Sequence, residues 1–181
     1  MRRTVRRGKV RAVFAKLFVR DAVIVALTAW IWHLGAGASA DAGLRGDFAG
    51  VIAGVTIGLC GYLVHEWGHL VGAVLAGSAV QPGRSLASGF LFSFDSHGNT
   101  RRQFLALSFG GWIATAFVLW GVYAWLPDGL FASRVARGFV AGNVLLVVFI
   151  EIPLVVYSLV TGNVPPVENQ PSAAPATAGA E

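Results

Sequence analysis

Gly61-Tyr62-Leu63-Val64-His65-Glu66-Trp67-Gly68-His69-Leu70 is an apolar run with three ionisable side chains set into five positions. Residues four apart share one face of an α-helix, so His65 and His69 aim two imidazoles at one spot, with Glu66 beside the first. That is the spacing of two ligands for a divalent zinc ion, with a carboxylate placed to act as base on a water at the metal. A five-residue match arises by chance in polar helices. At membrane depth, however, an ionisable side chain costs about 2.5–3.5 kcal/mol on insertion scales, so three together ask for a function.

The rest of the chain supports a membrane setting. Of 181 residues, 55% are hydrophobic and 13% charged, with a mean hydropathy of +0.65. That mix lies outside the range of soluble globular domains and marks a polytopic membrane protein. The net charge of +5 is no signature of nucleic-acid binding. Arg2, Arg3, Arg6, Arg7, Lys9, Arg11 and Lys16 hold half of the 14 basic residues within positions 1–16, and no acid accompanies them there. This is a juxtamembrane topology signal. The single cysteine, Cys60, lies in an apolar segment without an intrachain partner and reads as packing.

Four apolar spans follow from length, because a helix rising 1.5 Å per residue needs about 20 residues to cross a core of about 30 Å. They cover about 17–36, 48–76, 103–126 and 138–160. The expected architecture is an all-α polytopic membrane protein with four transmembrane helices. Segment 1–16 is a basic cytoplasmic extension, 17–162 a single transmembrane domain with its core at 48–160, and 163–181 a proline- and alanine-rich tail expected to be disordered. A cleaved signal peptide is the competing reading of the N-terminus, with Ala38-Ser39-Ala40 as the small-residue site. Around the motif, Gly50, Gly54, Gly58, Gly61, Gly68 and Gly72 form a small-residue stripe that admits close helix neighbours and leaves room at the histidines.

Between the second and third spans, Ser88-Gly-Phe-Leu-Phe-Ser-Phe-Asp95 followed by Ser96-His97-Gly98-Asn99 reads as a short β-hairpin. Its edge could receive an extended substrate by β-addition, or the hairpin could lie at the interface with no substrate role. Counting Lys and Arg puts the N-terminus, the 77–102 loop with Arg84, Arg101 and Arg102, and the tail in the cytoplasm of a plasma-membrane protein. Arg134 and Arg137 lie on the opposite side and blur the bias.

A catalytic zinc site wants a third protein ligand and an open fourth position. Among the acids only Glu66 and Glu151 lie deep within spans, and no Lys or Arg inside spans two to four could neutralise Glu151. An unpaired buried carboxylate is costly, and a metal offsets that cost, so Glu151 is the leading third ligand. Asp95 and His97 are the reserve candidates. Pro153 removes the N–H that would bond the Phe149 carbonyl and should open the helix near the acid.

With these residues in place, the chain resembles the site-2 protease family of intramembrane zinc metalloproteases over about residues 48–155. His65-Glu66-Trp67-Gly68-His69 fits that family's H-E-x-G-H. Gly110-Gly111-Trp112-Ile113-Ala114-Thr115 is similar to its Gly-Gly-Pro-x-x-Asn segment, with Trp112 in place of proline and Thr115 in place of asparagine. Asn143 precedes Glu151 by eight residues, as an asparagine precedes the metal-binding aspartate of the family, and Leu146 and Ile152 replace its customary proline and glycine. The resemblance implies peptide-bond hydrolysis at Zn²⁺ held by His65, His69 and Glu151. Glu66 is then the general base, and Asn143 or Thr115 the donor to the oxyanion. It implies a membrane-embedded or juxtamembrane protein segment as substrate, the lipid bilayer as surroundings, and room for a regulatory membrane partner. The rival expectations are a non-proteolytic membrane protein of the same fold and, further off, a metal transporter.

Overall fold

The computed structural model describes residues 2–39, 43–83 and 85–166, so Asp41, Arg84 and the tail from 167 lie outside the described residues. Among these, four helices appear: α1 (Arg2–Ala38), α2 (Leu44–Leu75), α3 (Arg101–Trp125) and α4 (Phe131–Thr161). Strands β1 (Val80–Pro82) and β2 (Phe92–Phe94) form an antiparallel pair between α2 and α3, with Val80 opposite Phe94 and Pro82 opposite Phe92. A strand pair is therefore present between α2 and α3 as expected, but the stretch 88–95 supplies only β2; its partner is Val80–Pro82, and the 96–99 turn follows β2 and leads into α3 instead of joining the strands. α2, α3 and α4 are each long and apolar enough to cross a membrane. A fourth span over α1 is not shown; α1 carries Arg20 and Asp21 within its length, and Asp21 is buried. Large apolar side chains such as Phe117, Trp120, Phe149 and Val160 are exposed on the outside of the bundle, a surface that fits lipid better than water.

α2 is the axis, and its glycines explain why. A Cβ on Gly54 would lie 2.6 Å from the Cβ of Val135, and one on Gly58 would overlap the Phe139 ring. This half of the stripe seats α4. Further along, a Cβ on Gly68 would meet the Ala114 Cβ and the Gly110 carbonyl at 2.5 Å, and one on Gly72 would overlap the Ala106 carbonyl. That half seats α3 almost backbone to backbone, whereas the Gly54 and Gly58 half takes the Val135 and Phe139 side chains of α4, so one stripe serves two neighbours.

The end of the bundle nearest the motif is closed by the hairpin. Phe92 and Phe94 of β2 pack with Leu17 of α1, Leu70 and Ala73 of α2, Phe104 of α3 and Val155 of α4 in one apolar cluster. Buried Asn99 pins the hairpin by accepting from the Ala79 N–H (2.6 Å) and donating to the carbonyls of Ala79 and Asp95. Thr100 and Gln103 cap α3 reciprocally, and the Gln103 amide also donates to the Gly77 carbonyl just beyond α2 (2.9 Å). Val164 packs against the same cluster and Pro165 is fully buried. The chain just past α4 thus joins the core, although a proline-rich segment from Asn163 is expected to stay outside it.

α1 is bound to this end by one polar network. Arg20 pairs with Asp21 (2.7 Å), whose other oxygen accepts the indole N–H of Trp67 (2.8 Å), and Arg20 also donates to the carbonyls of Leu86 and Ser88 (2.9 and 3.0 Å). The first helix therefore holds both the middle residue of the motif and the loop between the strands.

Candidate metal centre

His65 and His69 lie one turn apart on α2, and each ring is fixed from behind by α3. The Nδ1–H of His69 donates to the Leu107 carbonyl (2.8 Å). His65 Nδ1 lies 3.1 Å from the Gly111 carbonyl and 2.7 Å from the Thr115 hydroxyl. Carbonyls only accept, so neutral rings carry their protons on Nδ1 and turn bare Nε2 lone pairs inward. Those two nitrogens are 2.9 Å apart.

Glu151 completes the group from α4. Ahead of Pro153 the helix widens into a π turn, Val147–Glu151, in which the Ile152 N–H reaches back to the Val147 carbonyl. Pro153 has no N–H for the Phe149 carbonyl, and the extra residue in the turn is how the helix accommodates it. The expected opening near the acid takes this form. Glu151 Oε1 comes to 2.9 Å from His65 Nε2 and 3.5 Å from His69 Nε2. Its other oxygen accepts the indole N–H of Trp112 at 2.8 Å, which sets the carboxylate's rotation.

Three electron-pair donors thus face one another. A proton can serve one of these contacts at a time; a cation serves all three. Just off the plane of the three atoms lies a point about 2.0–2.2 Å from each, the length of metal bonds to imidazole and carboxylate. His65, His69 and Glu151 could hold a metal ion, and among the described residues they are the group of metal-binding side chains that meets this requirement. Room for the His69 ring itself is kept by Gly111, where a Cβ would overlap the imidazole.

Glu66 borders the same space. It lines, with His69 and Glu151, a cavity of about 190 Å³, and its Oε2 accepts the Leu91 N–H of the hairpin at 3.3 Å. The remaining candidates fall elsewhere. Thr115 is engaged behind His65 on the nitrogen that faces away from the donor cluster, so it orients a ligand and does not face a reacting carbonyl. Asn143 is half-buried on α4 two turns before Glu151 and is not among the residues lining the cavity. Asp95 accepts from the N–H groups of His97 and Gly98 in the turn after β2, and His97 is exposed there. Neither of these reserve ligands joins His65 and His69.

Trp112 is the site residue that reading the sequence passed over as a mere replacement. Ser108, Trp112 and Thr115 recur at helical spacing on α3, and that polar stripe was the available signal. Comparison with family models, with curated proteins and with solved structures gives no match to this chain.

Proposed function

We propose that this chain is an intramembrane zinc metalloprotease of the site-2 protease type, with α1 as a fourth span and both termini in the cytoplasm of a plasma-membrane protein. The observation that carries the reading is the convergence of two bare imidazole nitrogens and a carboxylate oxygen, with a second carboxylate, Glu66, on the wall of the adjoining cavity. A purely structural site has no use for that second acid. Two nitrogens, one oxygen and space for a fourth ligand are the donor set of hydrolytic zinc.

A zinc ion held by His65, His69 and Glu151 would supply Lewis acidity, lowering the pKa of water to about 7 and polarising a carbonyl. The rest of the chemistry belongs to the chain. Glu66 would take the proton from the attacking water and return it to the leaving amide nitrogen, and the Leu91 N–H, donating to Oε2, would hold its carboxylate at the cavity wall. Leu107, Gly111 and Thr115 hold the two imidazoles in the tautomer that binds metal, and Trp112 does the same for the rotation of Glu151. The substrate is a membrane-embedded or juxtamembrane protein segment in extended form, because a helical backbone hides its carbonyls.

A second reading, a metal-binding membrane protein of the same fold without proteolysis, is favoured by one observation. Thr115 is committed to His65, and Asn143 is not on the cavity wall, so neither expected oxyanion donor faces the reacting centre. One measurement separates the two. Purified protein is expected to carry about one zinc per chain, and Glu66→Gln is expected to keep the metal while abolishing cleavage of membrane-protein substrates. Zinc without cleavage in the wild type supports the second reading, and cleavage by Glu66→Gln removes the proposed base.

A further inference from the structure

The cavity beside the donor cluster has two unlike walls. One carries Glu66, His69 and Glu151; the other is apolar, with Phe90, Phe92 and Phe94 from the hairpin joined by side chains of α3 and α4 that include Phe104 and Leu154. Ser108 also borders it, but its hydroxyl is spent on the Phe104 carbonyl at 3.1 Å. Away from the ionisable wall, the cavity therefore offers a guest no unpaired polar side chain. Its volume of about 190 Å³ exceeds the roughly 150 Å³ at which an apolar protein cavity admits a benzene ring. Alternate residues of β2 point the same way, so Phe92 and Phe94 both face this space while Ser93 between them does not line it.

From these walls we infer that the cavity is a specificity pocket for one large apolar side chain, Phe or Leu in class, on the residue flanking the hydrolysed bond. The inference rests on the hydrolase reading, since it is the Glu66, His69 and Glu151 wall that fixes where the substrate backbone lies. A peptide backbone at that wall would direct a neighbouring side chain into the aromatic one. Small or charged side chains leave the space unfilled or bury a charge in it, and a hydrophobic pocket discriminates about 10–200-fold per missing methylene.

The test uses detergent-solubilised full-length protein and model transmembrane peptides that differ at one position, bearing Phe, Leu, Ala or Asp. Wild type is expected to cleave the Phe and Leu peptides with kcat/KM at least tenfold above the Ala peptide. Leu154→Trp, which fills the pocket from α4, is expected to reduce that ratio tenfold or more. Phe90→Ala, at the exposed rim and therefore a mild change for folding, is expected to widen acceptance toward a Trp-bearing peptide. Cleavage that continues with unchanged ratios in both variants overturns the pocket.

Equilibrium binding of the same labelled peptides to Glu66→Gln provides a readout without turnover. The same ranking in binding, with no cleavage by wild type, keeps the pocket and sinks the hydrolase reading. A fluorescent fatty acid that binds Glu66→Gln, loses affinity in the background of Leu154→Trp and is not displaced by the Phe peptide makes the cavity a lipid site, which also overturns the inference.

Discussion

Trp112 and Glu151 act as a pair across α3 and α4, and the geometry makes the first a positioning residue for the second. Trp112→Phe keeps the ring and removes the N–H, so zinc affinity is expected to fall about 10–100-fold in chelator competition, as when an outer partner of a ligand is lost. Glu151→Ala is expected to remove the metal outright, and retention of zinc by that variant would exclude the third ligand. Gly111→Ala places a methyl group where the His69 ring lies; it should lower both metal content and the melting temperature. At this scale the sequence was legible where chemistry and spacing coincide. His65, Glu66 and His69 follow from helical periodicity, and Glu151 from being an acid without a cationic neighbour in its span. Trp112 and Gly111 matter through distances between helices, which no spacing along one helix encodes, and the same is true of Thr115 turning away from the reacting side.

Helix contacts carry their own prediction because α2 serves two neighbours with one stripe. Gly54→Leu forces α4 away where Val135 sits at 2.6 Å from the added carbon; overpacking of this kind typically costs about 1–3 kcal/mol. The variant should melt earlier in detergent yet bind zinc when folded, since position 54 lies 11 residues, or about 16 Å of helix, from His65. Gly68→Leu wedges α3 off α2 next to His69 and should lose the metal as well. Equal metal loss in both would mean that the stripe acts only through global stability. The stripe and the second strand of the hairpin were readable from small-residue spacing and from β-formers ending in a turn, whereas the first strand, Val80–Pro82, is too short to signal itself. Pro153 announced a disturbance in α4, but a π turn and a simple kink look the same from sequence, and the structure has a π turn that ends at Glu151. The burial of Pro165 was hidden for a related reason: composition predicts whether a segment can make a core, not whether it can join one.

For the molecule in its membrane, α3 alone separates the turn at His97 from the loop at Asp128. On a Cys60→Ser background, His97→Cys and Asp128→Cys should therefore react with a membrane-impermeant maleimide from opposite sides of sealed vesicles, His97→Cys from the cytoplasmic face. Labelling of both from one side would cancel the crossing of α3. Arg137, one of the two arginines that blur the charge bias, is held at the Asp128 loop by that carboxylate (2.7 Å) and by the Leu126 carbonyl (2.9 Å). The network around Arg20 has a consequence for the fate of the N-terminus. Departure of α1 after a cut beyond its end would uncover the apolar cluster where Leu17 is fully buried, take from the Trp67 indole its acceptor and from the carbonyls of Leu86 and Ser88 their donor, so a chain processed there would have to keep the cut helix in place.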